Sequence, residues 1–337
     1  MNSLQLIALK FLVEKRKMSK FIYRPHLEKT LELIELCTDT FKNKEPLFVP
    51  LGARGIFGGA LIAQSLYAAH KTIPHHFHPH SLQSYFLSAG KPGVDVEYRV
   101  NRLRDGNNFI SREVKAYQNN KIIFVELISF TQDRNDLINQ PIHYKKPRNS
   151  RYLNVNNYKD PVKLLNERYL SRGRKPFESP TWYLKSLFDR FVYGPAEYKI
   201  LSNYYDDTTD SSHEDYNLNP EDIDVDYFVK LRVKTESKIF HYIALAYFSD
   251  SYLLGSVWKF QKLKINSPRL SVSLDHTIHF HKQPNVNQWI YSQMELPRSN
   301  DARRLIDAGF YDPESGELIA TIQQEGLVIV DENAVKL

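Results

Sequence analysis

With 337 residues, 42% of them hydrophobic and 25% charged, the chain has the composition of a soluble globular protein with room for one large core or two medium ones. Its net charge of +6 is spread along the sequence without the dense basic run of a nucleic-acid track, and is compatible with a small polyanionic ligand. The single cysteine, Cys37, excludes an intrachain disulfide and a cysteine-based zinc site and points to an intracellular compartment, and no apolar window is long enough for a transmembrane helix.

In chain order, residues 1–24 hold six basic side chains against one acid, Glu14, and read either as a targeting presequence or as an extension upstream of a start at Met18. Over 26–41, Leu27, Leu31, Ile34 and Leu36 recur at roughly helical spacing. Gly52, Gly55, Gly58 and Gly59 then crowd together, a sign of close backbone approach. From Gly58 onward, Ala60, Ala63, Ala68 and Ala69 predict a helix packed tightly on a neighbour. Four segments rich in β-branched and aromatic residues follow, at 81–88, 94–102, 109–117 and 122–130. Asp105-Gly106 and Asn119-Asn120 mark turns between them.

Residues 131–222 differ, being rich in Asn, Asp, Tyr and Lys. They read as a long connector with short amphipathic helices such as 182–191 and a polar loop at 204–215. A strand at 227–233, a helix at 241–254 and strands at 270–281, 288–295, 304–311 and 318–330 follow. The order helix, strand, hairpin, strand thus occurs twice, with Ser81-Leu82 falling where Ser273-Leu274 falls. A central helix with a curved antiparallel sheet, twice over, predicts an α+β fold in which small residues line a thin side of each helix.

Six motifs, in order, resemble the acyl-CoA thioesterase II family: Gly55-Ile-Phe-Gly-Gly59, His80-Ser-Leu-Gln-Ser-Tyr-Phe-Leu87, Leu103-Arg-Asp-Gly-Asn-Asn-Phe109, Leu245-Ala-Tyr-Phe-Ser-Asp250, Ser273-Leu-Asp-His276 and Gln324-Glu-Gly326. The likeness covers about 26–130 and 225–331 and is greatest to fungal peroxisomal members. It implies a double hotdog: an extension at 1–25, a hotdog unit at 26–135, a connector at 136–222, a second unit bearing the catalytic residues at 223–334, and a targeting tripeptide at 335–337. It also implies a fatty acyl-CoA substrate, hydrolysis without cofactor or metal, and a catalytic set of Asp250, Ser273 and Gln324. Val335-Lys336-Leu337 approximates a peroxisomal address, with Val where a small polar residue is usual. The expectations are therefore a peroxisomal matrix location, with the cytoplasm as alternative, an import receptor at the C-terminus, and a homo-oligomer.

On pattern alone Asp250, between Ser249 and Ser251, reads as a surface helix carboxylate, Ser273 as an ordinary strand serine and Gln324 as a hairpin or edge residue. The resemblance gives them one task, in which Asp250 draws a proton from a water that Ser273 and Gln324 help to fix. Direct attack by Asp250 to form an anhydride is the other route. Backbone N–H groups near Gly58 and Gly59 are the expected oxyanion donors. The rival readings are a hotdog enoyl-CoA hydratase, in which an Asp works with a His in a compact motif at the start of the helix, whereas here Asp250 lies nine residues beyond His241, and a non-catalytic acyl-CoA binder. No G-x-S-x-G elbow occurs. Asp275, His279 and His281 share a strand face, but no spacing matches a metalloenzyme motif. Arg102, Arg104, Arg112, Arg303 and Arg304 are candidates either for the CoA phosphates or for a solvated surface.

Overall fold

In the computed structural model, which describes residues 26–50, 53–133, 146–148, 153–171, 182–205, 214–219, 222–223, 225–263 and 268–330, the first element among the described residues is one helical turn, Leu27–Thr30. Strands β1 (Leu33–Cys37) and β2 (Thr40–Asn43) follow as a hairpin. The helix expected over 26–41 is thus confined to its first turn. Asp39 explains the difference: its φ of 56° makes a reversal there. Beyond the turn only Leu33 of β1 is buried, while Ile34 and Leu36 are exposed, so the apparent helical spacing does not describe one buried face.

Next come helix α1 (Gly58–His70) and strands β3 (His78–Phe86), β4 (Glu97–Asp105), β5 (Phe109–Gln118) and β6 (Lys121–Thr131). Asn119 and Asn120, both at positive φ, make the tight turn between β5 and β6. The middle of the chain adds helices α2 (Pro161–Ser171) and α3 (Trp182–Tyr193) and strand β7 (Ala196–Ile200). The second half holds β8 (Val225–Leu231), helix α4 (Lys238–Ser249), β9 (Pro268–Ser273), β10 (Asp275–Phe280), β11 (Ile290–Asn300), β12 (Arg303–Tyr311) and β13 (Leu318–Val330).

Among the described residues all thirteen strands belong to one antiparallel sheet, ordered β1-β2-β4-β5-β6-β3-β10-β13-β12-β11-β8-β7, with β9 also on β13. Read outward from the β3–β10 seam, the halves match: the strand after the helix, the meander in reverse, then the hairpin before the helix. β7 therefore occupies in the second half the place of β1 in the first. It lies inside 136–222, so that stretch supplies an edge strand and does more than connect. The polar loop read at 204–215 falls largely outside the described residues, as do 1–25 and 331–337, although Tyr204 and Tyr205 at its start are buried.

α1 touches all six strands of its half, so the sheet curls round it. Nearly every residue of α1, and every residue of α4 from Tyr242 to Ser249, is buried, as expected of helices apolar on all sides. The two helices meet where α1 begins and α4 ends. A Cβ on Gly59 would lie 2.4 Å from the Tyr247 carbonyl oxygen, so only glycine permits this approach. The Phe57 ring packs edge-on against Tyr247 at 5.0 Å and closes the contact.

Candidate active site

Asp250 caps the C-terminal end of α4, which stops at Ser249, short of the expected Leu254. A carboxylate there faces the negative end of its own helix dipole. The N-terminus of α1 compensates, since the Gly59 N–H donates to Asp250 Oδ2 at 2.9 Å. Phe57, the N-cap of α1, offers no side-chain acceptor, so Asp250 supplies from the other half of the chain what a capping serine would supply locally.

The other carboxylate oxygen faces the sheet. Gln324 Nε2 donates to Asp250 Oδ1 at 2.8 Å, and Ser273 Oγ donates to the same oxygen at 3.3 Å. Gln324 Nε2 also donates to Ser273 Oγ at 2.6 Å, which closes a triangle. The three expected residues are therefore together, and Gln324 is fully buried, not at an edge.

The strand that carries Ser273 is not continuous as read. It breaks at Leu274 into β9 and β10, and the register against β13 slips from Ser273↔Gly326 to Thr277↔Gln323. In an unbroken strand Ser273 and His276, an odd number of residues apart, would point to opposite faces. The one-residue slip turns Ser273 to the inner face, beside Gln324.

Burial pushes the Asp250 carboxyl above its ordinary value. The hydrogen bonds from Gln324 and Gly59, the Arg190 charge and the Ser273 hydroxyl restrain that rise. Arg190, on α3 within the stretch read as connector, is a charged neighbour of Asp250 that the sequence did not point to. It donates to the Ser251 carbonyl oxygen and stacks on Phe57 with its guanidinium carbon 5.6 Å from the ring centre. A narrow cleft lined by Phe57, Arg190, Tyr198, Tyr247 and Ser251 opens there. Nothing in the pattern of 182–193 points to this beyond an amphipathic helix.

Of the expected oxyanion donors, Gly59 is already engaged with Asp250. Gly58 stands beside it: a Cβ there would meet Asp250 Oδ2 at 2.7 Å and the Phe86 ring at 2.8 Å. The histidine that a hydratase reading would pair with Asp250, His241, lies within α4 and its Nδ1 instead accepts from the Val286 N–H at 3.2 Å. Four of the candidate phosphate-binding arginines are held by protein groups: Arg102 by Asp39, Arg112 by Asp105 and Thr72, Arg303 by Glu325 and Arg304 by Gln261.

Two family descriptions match the chain: "Acyl-CoA thioesterase N-terminal domain" over residues 49–131 and "Acyl-CoA thioesterase" over 226–327. The peroxisomal acyl-coenzyme A thioester hydrolase 1 of Saccharomyces cerevisiae is 35% identical over 90% of this chain and 94% of that protein. Acyl-CoA thioesterase 2 of Haemophilus influenzae is 28% identical over 82% of this chain and 89% of its own. Among solved structures, the acyl-CoA thioesterase II of Mycobacterium marinum superposes with a TM-score of 0.63 at 22% identity, covering 91% of this chain and 99% of that one, which supports the double-hotdog fold.

Proposed function

The chain belongs to the acyl-CoA thioesterase family and hydrolyses acyl-CoA thioesters, and from that premise we propose that Asp250, Ser273 and Gln324 carry the reaction on fatty acyl-CoA through a bound water. The observation that supports this most is the shared grip on Asp250 Oδ1 by Gln324 and Ser273. Their hydrogen bonds favour the ionised form, while burial makes that carboxylate a stronger base than an exposed one.

In this reading Asp250 takes one proton from the water as the water oxygen bonds to the thioester carbonyl carbon. The carbonyl oxygen becomes an oxyanion at the first turn of α1, where the Gly58 N–H and the positive end of the dipole face it. The carbon–sulfur bond then breaks, and the proton on Asp250 passes to the CoA thiolate. The products are the free acid and CoA, with Asp250 ionised again. Gly59 serves in this scheme by holding the base.

Asp250→Ala tests the assignment. It should fold, bind acyl-CoA and lose turnover by roughly 10²–10⁴-fold, the usual worth of a general base. Unchanged release of free thiol would remove Asp250 from the mechanism. A single turnover in ¹⁸O-water separates the two routes. Label appears only in the fatty acid if water attacks, whereas attack by Asp250 and hydrolysis of the anhydride at the aspartyl carbonyl leaves label in the protein.

The same proposal places the enzyme in the peroxisomal matrix, supported by the likeness to the S. cerevisiae peroxisomal enzyme, and has an import receptor read the C-terminal tripeptide. Self-association is supported by Tyr85, Phe109 and Leu127, exposed apolar side chains on the outer face of the N-terminal half of the sheet.

A further inference from the structure

We propose that His276 is a positioning residue that locks the Gln324 amide with its nitrogen toward Asp250, an inference that rests on the reading of the catalytic set given above. A glutamine amide can turn end for end in its site, exchanging its donor and acceptor ends. In one orientation Nε2 donates to the carboxylate; in the other Oε1 would oppose it. Something behind the amide must choose.

His276 stands there. It is on β10, one step from the Thr277↔Gln323 pair, and is fully buried. Its backbone is fixed by the other half of the chain, because Ser84 Oγ on β3 donates to the His276 carbonyl oxygen at 3.0 Å. Its ring Nε2 lies 2.8 Å from Ser249 Oγ, the residue just before Asp250. Two buried atoms then have no hydrogen bond of ordinary geometry among the described residues: His276 Nδ1 and Gln324 Oε1. His276 and Gln324 flank the Thr277↔Gln323 pair on adjacent antiparallel strands, so the ring and the amide are neighbours.

The tautomer decides the outcome. Ser249 has one hydroxyl proton, with the Ala246 carbonyl oxygen and the ring Nε2 both at 2.8 Å. If Nε2 carried the ring proton, Nδ1 would offer a lone pair to Gln324 Oε1. The amide would relieve that contact only by turning its oxygen toward the Asp250 carboxylate. With the proton on Nδ1, Ser249 O–H turns from the Ala246 carbonyl oxygen to Nε2, Nδ1–H faces Gln324 Oε1, and Gln324 Nε2 is left for Asp250 and Ser273. Burial also keeps the ring neutral, with its pKa lowered to about 3, so the ring adds no charge beside the base.

The test combines one measurement on the unaltered protein with three variants. Nitrogen NMR of ¹⁵N-histidine-labelled full-length protein should show His276 protonated at Nδ1; the Nε2–H tautomer would overturn the proposal without any variant having to fold. His276→Phe, which fills the space and cannot donate, should lower kcat tenfold or more with KM unchanged. His276→Asn, whose side-chain N–H sits near the position of Nδ1–H, should recover most of that loss. Gln324→Ala is assayed alongside. If it loses turnover while His276→Phe keeps wild-type kcat, the positioning role fails and the catalytic set stands. If Gln324→Ala itself turns over normally, the catalytic reading fails.

Discussion

The backbone N–H of Gly59 and the carboxylate of Asp250, 191 residues apart in sequence, are joined by a hydrogen bond of 2.9 Å. This bond places the candidate site at the contact between the two halves, where the start of one buried helix meets the end of the other. Neither half has the site alone. The second supplies Asp250, Ser273 and Gln324, and the first supplies the positive helix end that stabilises the Asp250 carboxylate.

Gly58 and Gly59 should therefore respond differently to alanine. At Gly59 the new Cβ meets the rigid Tyr247 carbonyl, so the helices must separate. Overpacking of this kind costs about 1–3 kcal/mol, more than the ~1 kcal/mol that alanine gains over glycine in a helix. Gly59→Ala should lower Tm by several degrees and reduce turnover. At Gly58 the Cβ meets side-chain atoms of Asp250 and Phe86, which can yield. Gly58→Ala should hold its Tm to within a degree or two and still lose kcat. Thermal melting paired with kinetics checks both, and equal Tm losses would contradict the geometry.

The pH–rate profile has a defined sign. Asp250 must be ionised to act, and burial raises its pKa above the ordinary value, so kcat/KM should fall on the acid side at a higher pH than an exposed aspartate would give. Gln324 and Ser273 both act to lower that pKa. Gln324→Leu and Ser273→Ala should each move the acid limb further up in pH as well as reducing kcat. An acid limb that stayed in place in both variants would show that another group controls it.

Stability should decline in mild acid for a reason apart from catalysis. Burial lowers the pKa of His276 to about 3 and that of His70 to about 4. Both rings are neutral when folded and take up protons near pH 6.5 once unfolded. Their contribution is whole above pH 6.5 and is lost as the pH falls toward about 4 for His70 and about 3 for His276. His276→Asn and His70→Asn should each flatten the dependence of Tm on pH below 6.5. Parallel curves for variant and wild type would refute this.

Location is checked in cells. A protein tagged at its N-terminus should co-sediment with peroxisomal markers, and deletion of residues 335–337 should shift it to the cytosol. An unchanged distribution after deletion would dismiss the tripeptide as the address.

Much of the molecule was legible before any coordinates. Strong β patterning marked the two meanders, the alanine and glycine stripe marked α1, and Asn119-Asn120 marked a tight turn that its two positive φ values confirm. The hairpin β1–β2 was not legible, because Leu27, Leu31, Ile34 and Leu36 mimic a helical repeat that ends after one turn. Strand β7 was hidden in a polar stretch because it is only five residues long, although Ala196, Tyr198 and Ile200 alternate inward and are buried. Asp250, Ser273 and Gln324 were found only through family motifs; by pattern each reads as an unremarkable polar residue.

The sequence by itself determined what is local and periodic: two copies of a helix followed by antiparallel strands, and the short family motifs that contain Asp250, Ser273 and Gln324. The tertiary structure alone decided the rest. A one-residue slip between β9 and β10 turns Ser273 inward, a helix contact too close for any residue but glycine sets the start of α1 against Asp250, and α3 carries Arg190 to the same place. These depend on bulges and contacts between segments far apart in the chain, and local propensity carries no information about which distant surface a residue will meet.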